Sequence, residues 1–204
     1  WAGLRFSETA TGALFDADGR YLSGSILRHV HLLDATIGVR STGQAPYLHR
    51  SAIERCHTGA EATSGDMRIE DTTFERNGSG IVGGFAYSSM TVLGCDLRYH
   101  SNVGLQAIGR RAHIERNHIA FNAMGMWVGH DLEPTDALIS GNLIALNAGT
   151  GVVLGSGRMA HNTVVSNGED GIGINSGDTS TITIEYNNLF ANGTYDLSLN
   201  GAAY

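Results

Sequence analysis

From Met67 onward the chain alternates short apolar–polar segments with turn residues, and nowhere sustains a 3.6-residue apolar period. Met67-Arg68-Ile69-Glu70 and Ala112-His113-Ile114-Glu115 place an apolar residue at every second position, the pattern of a strand with one buried face. A six-residue unit of Asn, any, aliphatic, any, any, Asn follows such strands. It occurs as Asn117 to Asn122, Asn142 to Asn147, Asn162 to Asn167 and Asn187 to Asn192, with degenerate copies at Thr72 to Asn77 and Cys95 to His100. Gly-aliphatic pairs come next, at Gly80-Ile81, Gly104-Leu105, Gly125-Met126, Gly151-Val152 and Gly171-Ile172. The closing positions 77, 100, 122, 147, 167 and 192 are separated by 23, 22, 25, 20 and 25 residues. This predicts about three short strands per repeat. The Leu-x-x-Leu-x-Leu spacing of a leucine-rich repeat is absent.

A unit of this kind buries its apolar face only by stacking on copies of itself. At the ordinary interstrand spacing of roughly 4.8 Å, about nine coils give a rod roughly 40 Å long. Asparagine suits the corners for two reasons: it tolerates a left-handed backbone, and stacked amides bond to one another along a ladder. Cys56 falls at a second-corner position and Cys95 at a first-corner position two coils later. That separation is too long for a disulfide, so two free thiols are expected.

The pattern resembles the right-handed parallel β-helix repeat family, over essentially the whole chain. The opening Trp1-Ala2-Gly3-Leu4-Arg5-Phe6 is similar to the Trp-x-Gly-Ile-x-Phe strand of such proteins. The stretches Leu27 to Val39 and Leu48 to Thr63 fit more loosely. The resemblance implies an all-β, single-stranded solenoid, here one domain spanning 1–204. The start at Trp1, with no initiator Met and no apolar leader, suggests a piece of a longer protein. Pectin and alginate lyases, polygalacturonases, mannuronan epimerases, phage tailspikes and surface scaffolds share the fold. The expected partner is therefore a polysaccharide or glycan, met in an extracellular, periplasmic or cell-surface location. The expected role is carbohydrate binding or modification by a lyase, hydrolase or epimerase; the alternative is a non-catalytic, adhesin-like scaffold.

Composition narrows this picture. Glycine is abundant at 28 of 204 residues, yet 42% hydrophobic residues and only 2 prolines argue against disorder and collagen. All 13 basic residues are arginine, set against 20 acidic ones for a formal net charge of −7, which is not the footprint of a nucleic-acid binder. No apolar run is long enough for a membrane span. The absence of lysine argues against the Lys base of many lyases of this fold, and Arg110 or Arg111 would need a lowered pKa that guanidinium resists. The clustered-Asp, Gly-His-Gly and Arg-Ile-Lys set of polygalacturonases is missing, as is the Tyr-Gly-x-Asp-Pro-His-Asp run of mannuronan epimerases.

Several motifs have a bland explanation. Gly78-Ser79-Gly80-Ile81-Val82-Gly83 matches a dinucleotide fingerprint by letter but precedes no helix. The sequons at Asn77 and Asn192 coincide with corner positions. Gly168-Glu169-Asp170-Gly171 and Gly177-Asp178-Thr179-Ser180 offer oxygen ligands to Ca²⁺ but lack the carboxylates of a dedicated loop; no cofactor is implied, and no Cys/His spacing suggests zinc. Arg68 and Glu70, then His113 and Glu115, are expected at matching outward positions of the first strand. Glu70 and Glu115 share a column two coils or roughly 9–10 Å apart, the upper edge of an inverting glycosidase's carboxylate separation, but solubilising charge is the favoured reading. The strongest local candidate is the variable loop after the third strand, because coil insertions gather on one functional face. There Trp127 precedes His130, Asp131, Glu133 and Asp136, while other coils contribute Phe85, Tyr87, Arg110, Arg111 and Asp178. His130, Asp131, Glu133, Asp136 and Arg110 are the candidate acid–base and catalytic residues. Trp127, Tyr87 and Arg111 are candidate substrate contacts, offering flat apolar rings and a forked donor.

Overall fold

The computed structural model describes residues 1–83, 88–129, 136–175, 181–199 and 202–203. Its strands stack into a parallel solenoid with three long sheets. The first strand of each coil joins an eight-stranded sheet running from Ile26–Arg28 to Ile182–Glu185. The second strand joins another eight-stranded sheet, from His31–Leu33 to Asn188–Phe190. The third joins a ten-stranded sheet that opens with Leu4–Phe6 and closes with the antiparallel Ala202–Ala203. Eight strands in each of two sheets put the coil count slightly below the expected nine. We call these the first-, second- and third-strand sheets. Among the described residues no helix is long and apolar enough to cross a membrane.

Each inward position continues as a column of like residues, because parallel register places coil upon coil. In the first-strand sheet Leu48, Ile69, Val92, Ile114, Ile139 and Met159 are successive register partners. The second-strand sheet supplies Ile53, Phe74, Leu97, Ile119, Ile144 and Val164. The third supplies Ala60, Ile81, Leu105, Met126, Val152 and Ile172. All are buried, and each large aliphatic withdrawn from water contributes about 1.5–3 kcal/mol. The Gly-aliphatic pairs have a steric cause. A Cβ on Gly104 would lie 2.7 Å from the Gly125 carbonyl oxygen and 2.9 Å from the Asn122 amide nitrogen.

The asparagine ladders form as the spacing predicts, but their geometry corrects one expectation. Asn142 Oδ1 accepts from the Asn117 backbone N–H at 2.9 Å and from its side-chain Nδ2 at 2.9 Å. Nδ2 of Asn117 also donates to the Val92 carbonyl, and the pattern repeats along both corners to Asn187 and Asn192. None of these asparagines has a left-handed backbone. The positive φ belongs to the residue just before each: Arg116, Phe121, Gly141, Leu146, His161, Ser166, Tyr186 and Ala191. The inward amide is committed to the ladder, so the turn is made by the outward-pointing neighbour. The sequons at Asn77 and Asn192 lie on this ladder, with Nδ2 donating to Ile53 and Val164 carbonyls. Cys56 and Cys95 take ladder positions as buried free thiols, as expected.

Among the described residues a hairpin lies outside the coils. Leu14–Phe15 and Tyr21–Ser23 form a two-stranded antiparallel hairpin. Its turn is organised by Asp16, whose Oδ1 accepts from the backbone N–H groups of Asp18 and Arg20 at 3.0 and 2.8 Å. The hairpin packs on the outer face of the first-strand sheet at its N-terminal coils.

Candidate functional site

The outward columns of the first-strand sheet have the register the sequence predicts. One runs Tyr47, Arg68, Thr91, His113; the next runs His49, Glu70, Leu93, Glu115. Glu70 and Glu115 thus share a column two strands apart, but each is engaged locally. Glu115 Oε2 meets His113 Nε2 at 2.9 Å, and Glu115 Oε1 lies 3.4 Å from Arg116. Glu70 Oε1 accepts from Arg68 Nε at 2.5 Å, while Oε2 accepts from the Tyr47 hydroxyl at 2.6 Å.

The hairpin turns the Glu70 end of this column into a built site. Phe15 packs edge-on against Tyr47 with centroids 5.2 Å apart, and the Arg68 guanidinium lies 4.4 Å over the Phe15 ring. Tyr47 stacks between Tyr21 and His49 at 5.9 and 5.1 Å. Burial, then the hydrogen bond to Glu70, pushes the Tyr47 hydroxyl well above the ordinary phenol range, so it stays a proton donor. Burial, reinforced by Arg50 and Arg28, lowers the His49 pKa below the usual imidazole value; its Nε2 lies 3.5 Å from Asp71. Beside this cluster opens a pocket of about 210 Å³, lined by Phe15, Pro46, Asp66, Arg68, Ser89 and Thr91 among others. Asp66 Oδ1 is oriented by the Ser89 backbone N–H at 2.9 Å.

The sequence offered Glu70 as a carboxylate partner of Glu115 beside Arg68 but favoured surface charge for both, and it assigned no role to Tyr47, His49, Phe15 or Tyr21. Counting 21 residues back from Arg68 and Glu70 through the less regular coils would have found Tyr47 and His49. Nothing in the repeat could have shown where the hairpin docks.

The loop-edge candidates are distributed over two sheets. Arg111 and Asp136 are register partners at the start of neighbouring first strands, and the Asp136 N–H donates to the Arg110 carbonyl at 2.9 Å. All three are exposed. Trp127 sits instead on the outer face of the third-strand sheet, between Gln106 and Val153. Tyr87, His130, Asp131 and Glu133, with Phe85 and Asp178, lie outside the described residues. Of the oxygen-rich turns, Glu169 Oε2 accepts from the Thr150 hydroxyl at 3.1 Å and Asp170 accepts from the Ser198 hydroxyl; residues 177–180 lie outside the described ones. Among the described residues no three His, Cys, Asp or Glu side chains gather as a metal-ligating group.

Comparison with curated proteins and with solved structures found no match to this chain. The family model described as "Right handed beta helix region" matches residues 11–158, well over half the chain. With its stacked parallel strands and corner ladders, the chain belongs to the right-handed β-helix family.

Proposed function

We propose that this β-helix domain binds a carbohydrate on the outer face of the first-strand sheet, in the pocket beside the hairpin. The observation that carries the reading is an aromatic ring together with hydroxyl and carboxylate groups in one hollow: Phe15, with the Arg68 guanidinium over one of its faces, lines it with Asp66, Ser89 and Thr91. Apolar ring surface suits the C–H face of a sugar, and short polar side chains suit its hydroxyls. Binding fits better than catalysis, because both Glu70 oxygens already accept hydrogen bonds from Tyr47 and Arg68. With its pKa raised, Tyr47 holds its proton through neutral pH and is a poor base. A secreted or cell-surface location goes with such a ligand.

The test is a glycan panel, both neutral and uronate, presented to the protein and to the Thr91→Ala and Asp66→Ala variants. Binding weakened about tenfold or more in both variants, with the thermal midpoint kept, supports the reading. A panel with no binder removes it in favour of a purely structural scaffold. Binding indifferent to both variants places the ligand elsewhere.

A further inference from the structure

The outer face of the third-strand sheet carries a second hollow, made by a missing side chain. Its central outward column runs Gln106, Trp127, Val153, Gly173, Ser198. Trp127 is 38% exposed, a large apolar ring left on the surface beside Val153. Two strands further on, roughly 10 Å at the usual strand spacing, Gly173 leaves the column empty. A Cβ there would meet nothing closer than 3.7 Å, so the glycine is not required by crowding. The space is a pocket of about 230 Å³ lined by Thr150, Val153, Asp170, Gly173, Asn175 and Ser198 among others.

The lining selects a chemical class. Ser198 is buried and donates to Asp170, while the Thr150 hydroxyl donates to Glu169, so the polar groups are held in fixed orientations. Among the described residues no arginine lines the pocket, and Asp170 and Glu169 make the neighbourhood acidic, which repels phosphates and uronates. Hydroxyl, carboxylate and amide groups beside an exposed indole match the alternating hydroxyls and C–H faces of an uncharged sugar. We infer that the Trp127–Gly173 face is a separate binding site for a neutral saccharide, with one ring against the indole and the ring two units further on in the Gly173 hollow. It stands apart from the hairpin pocket, on a different sheet and on different residues.

The chain has 2 tryptophans, so a Trp1→Phe background leaves Trp127 as the sole indole reporter. Its emission is followed while cellotriose, maltotriose or chitotriose is added, with trigalacturonate as the charged control. A saturable change with a neutral trisaccharide, none with the uronate, and at least tenfold weakening in Gly173→Leu are the expected results. The exposed-rim variant Asn175→Ala gives a second reading should Gly173→Leu lose its fold, and it is expected to weaken binding severalfold. No response to any neutral trisaccharide, an equal response to trigalacturonate, or unchanged affinity in the folded variants overturns the site. Thr91→Ala, in the hairpin pocket, leaves this titration unchanged, so failure of one site is separable from failure of the other.

Discussion

His100 occupies a corner where the following coils use asparagine, and the exchange is incomplete. Its Nδ1 accepts from the Asn77 N–H at 3.1 Å, which places the proton on Nε2, a buried atom with no partner among the described residues. Asparagine at the same corner of the next coil donates to the Leu97 carbonyl and to Asn147. Burial pushes the His100 pKa from 6.5 down to about 4. The unfolded ring therefore takes a proton near pH 6.5 that the folded ring refuses until about pH 4. The neutral ring's contribution is complete above pH 6.5 and is lost as pH falls towards 4, by at most about 3 kcal/mol. His100→Asn, able to donate to the Phe74 carbonyl and Asn122, is expected to raise the thermal midpoint by several degrees at pH 5. The advantage should shrink at pH 8; thermal melts across that range measure it, and parallel melting curves would contradict the assignment.

Corner elements divide labour between two adjacent residues. The inward one bonds the coils together, and the outward one absorbs the left-handed turn. Asn147 Oδ1 accepts from the Asn122 N–H and Nδ2, and its own Nδ2 donates to Ile119 and Asn167. Asn147→Ala orphans buried groups on both neighbours, at a cost of about 3 kcal/mol in urea unfolding. The preceding residue, Leu146, is half exposed with φ of 57°, while Gly94 and Gly141 do the same task at 62° and 63°. Leu146→Gly removes left-handed strain at little loss of burial, and about 1 kcal/mol of stabilisation is expected. Leu146→Val should move the midpoint the other way, because a β-branched side chain crowds this turn further. No Val, Ile or Thr has positive φ among the described residues. At the second corner the outward residues also stack, Tyr99 on Phe121 with centroids 5.0 Å apart, so their faces are spent on one another.

Across the molecule, each coil is stabilised only by its neighbours, and stability should fall towards the ends. Ile139, Ile144 and Val152 in a central coil are fully buried, whereas Ile182, Ile184, Leu189 and Leu197 in the last one are only partly so. Hydrogen exchange is expected to be slowest in strands such as Arg111–Glu115 and Asp136–Ser140 and faster in Ile182–Glu185 and Asn188–Phe190. Uniform protection along the solenoid would contradict that gradient. The two proposed sites use this architecture differently. One depends on a hairpin laid over a sheet, the other on a gap in a column.

The sequence alone determined the coil, the corner ladders, the free thiols and the outward register of Arg68, Thr91 and His113. The reason is that a parallel solenoid converts sequence separation directly into stacking: residues one repeat apart become neighbours, so period and alternation suffice. Only the tertiary structure decided three other things. It gave the left-handed turn to the residue before each asparagine, because the inward amide is already occupied. It set Phe15 over Arg68 and Tyr47, since the hairpin lies outside the repeat and no period governs where it docks. And it separated Trp127 from Arg111 and Asp136, residues near one another along the chain but on sheets that face different ways.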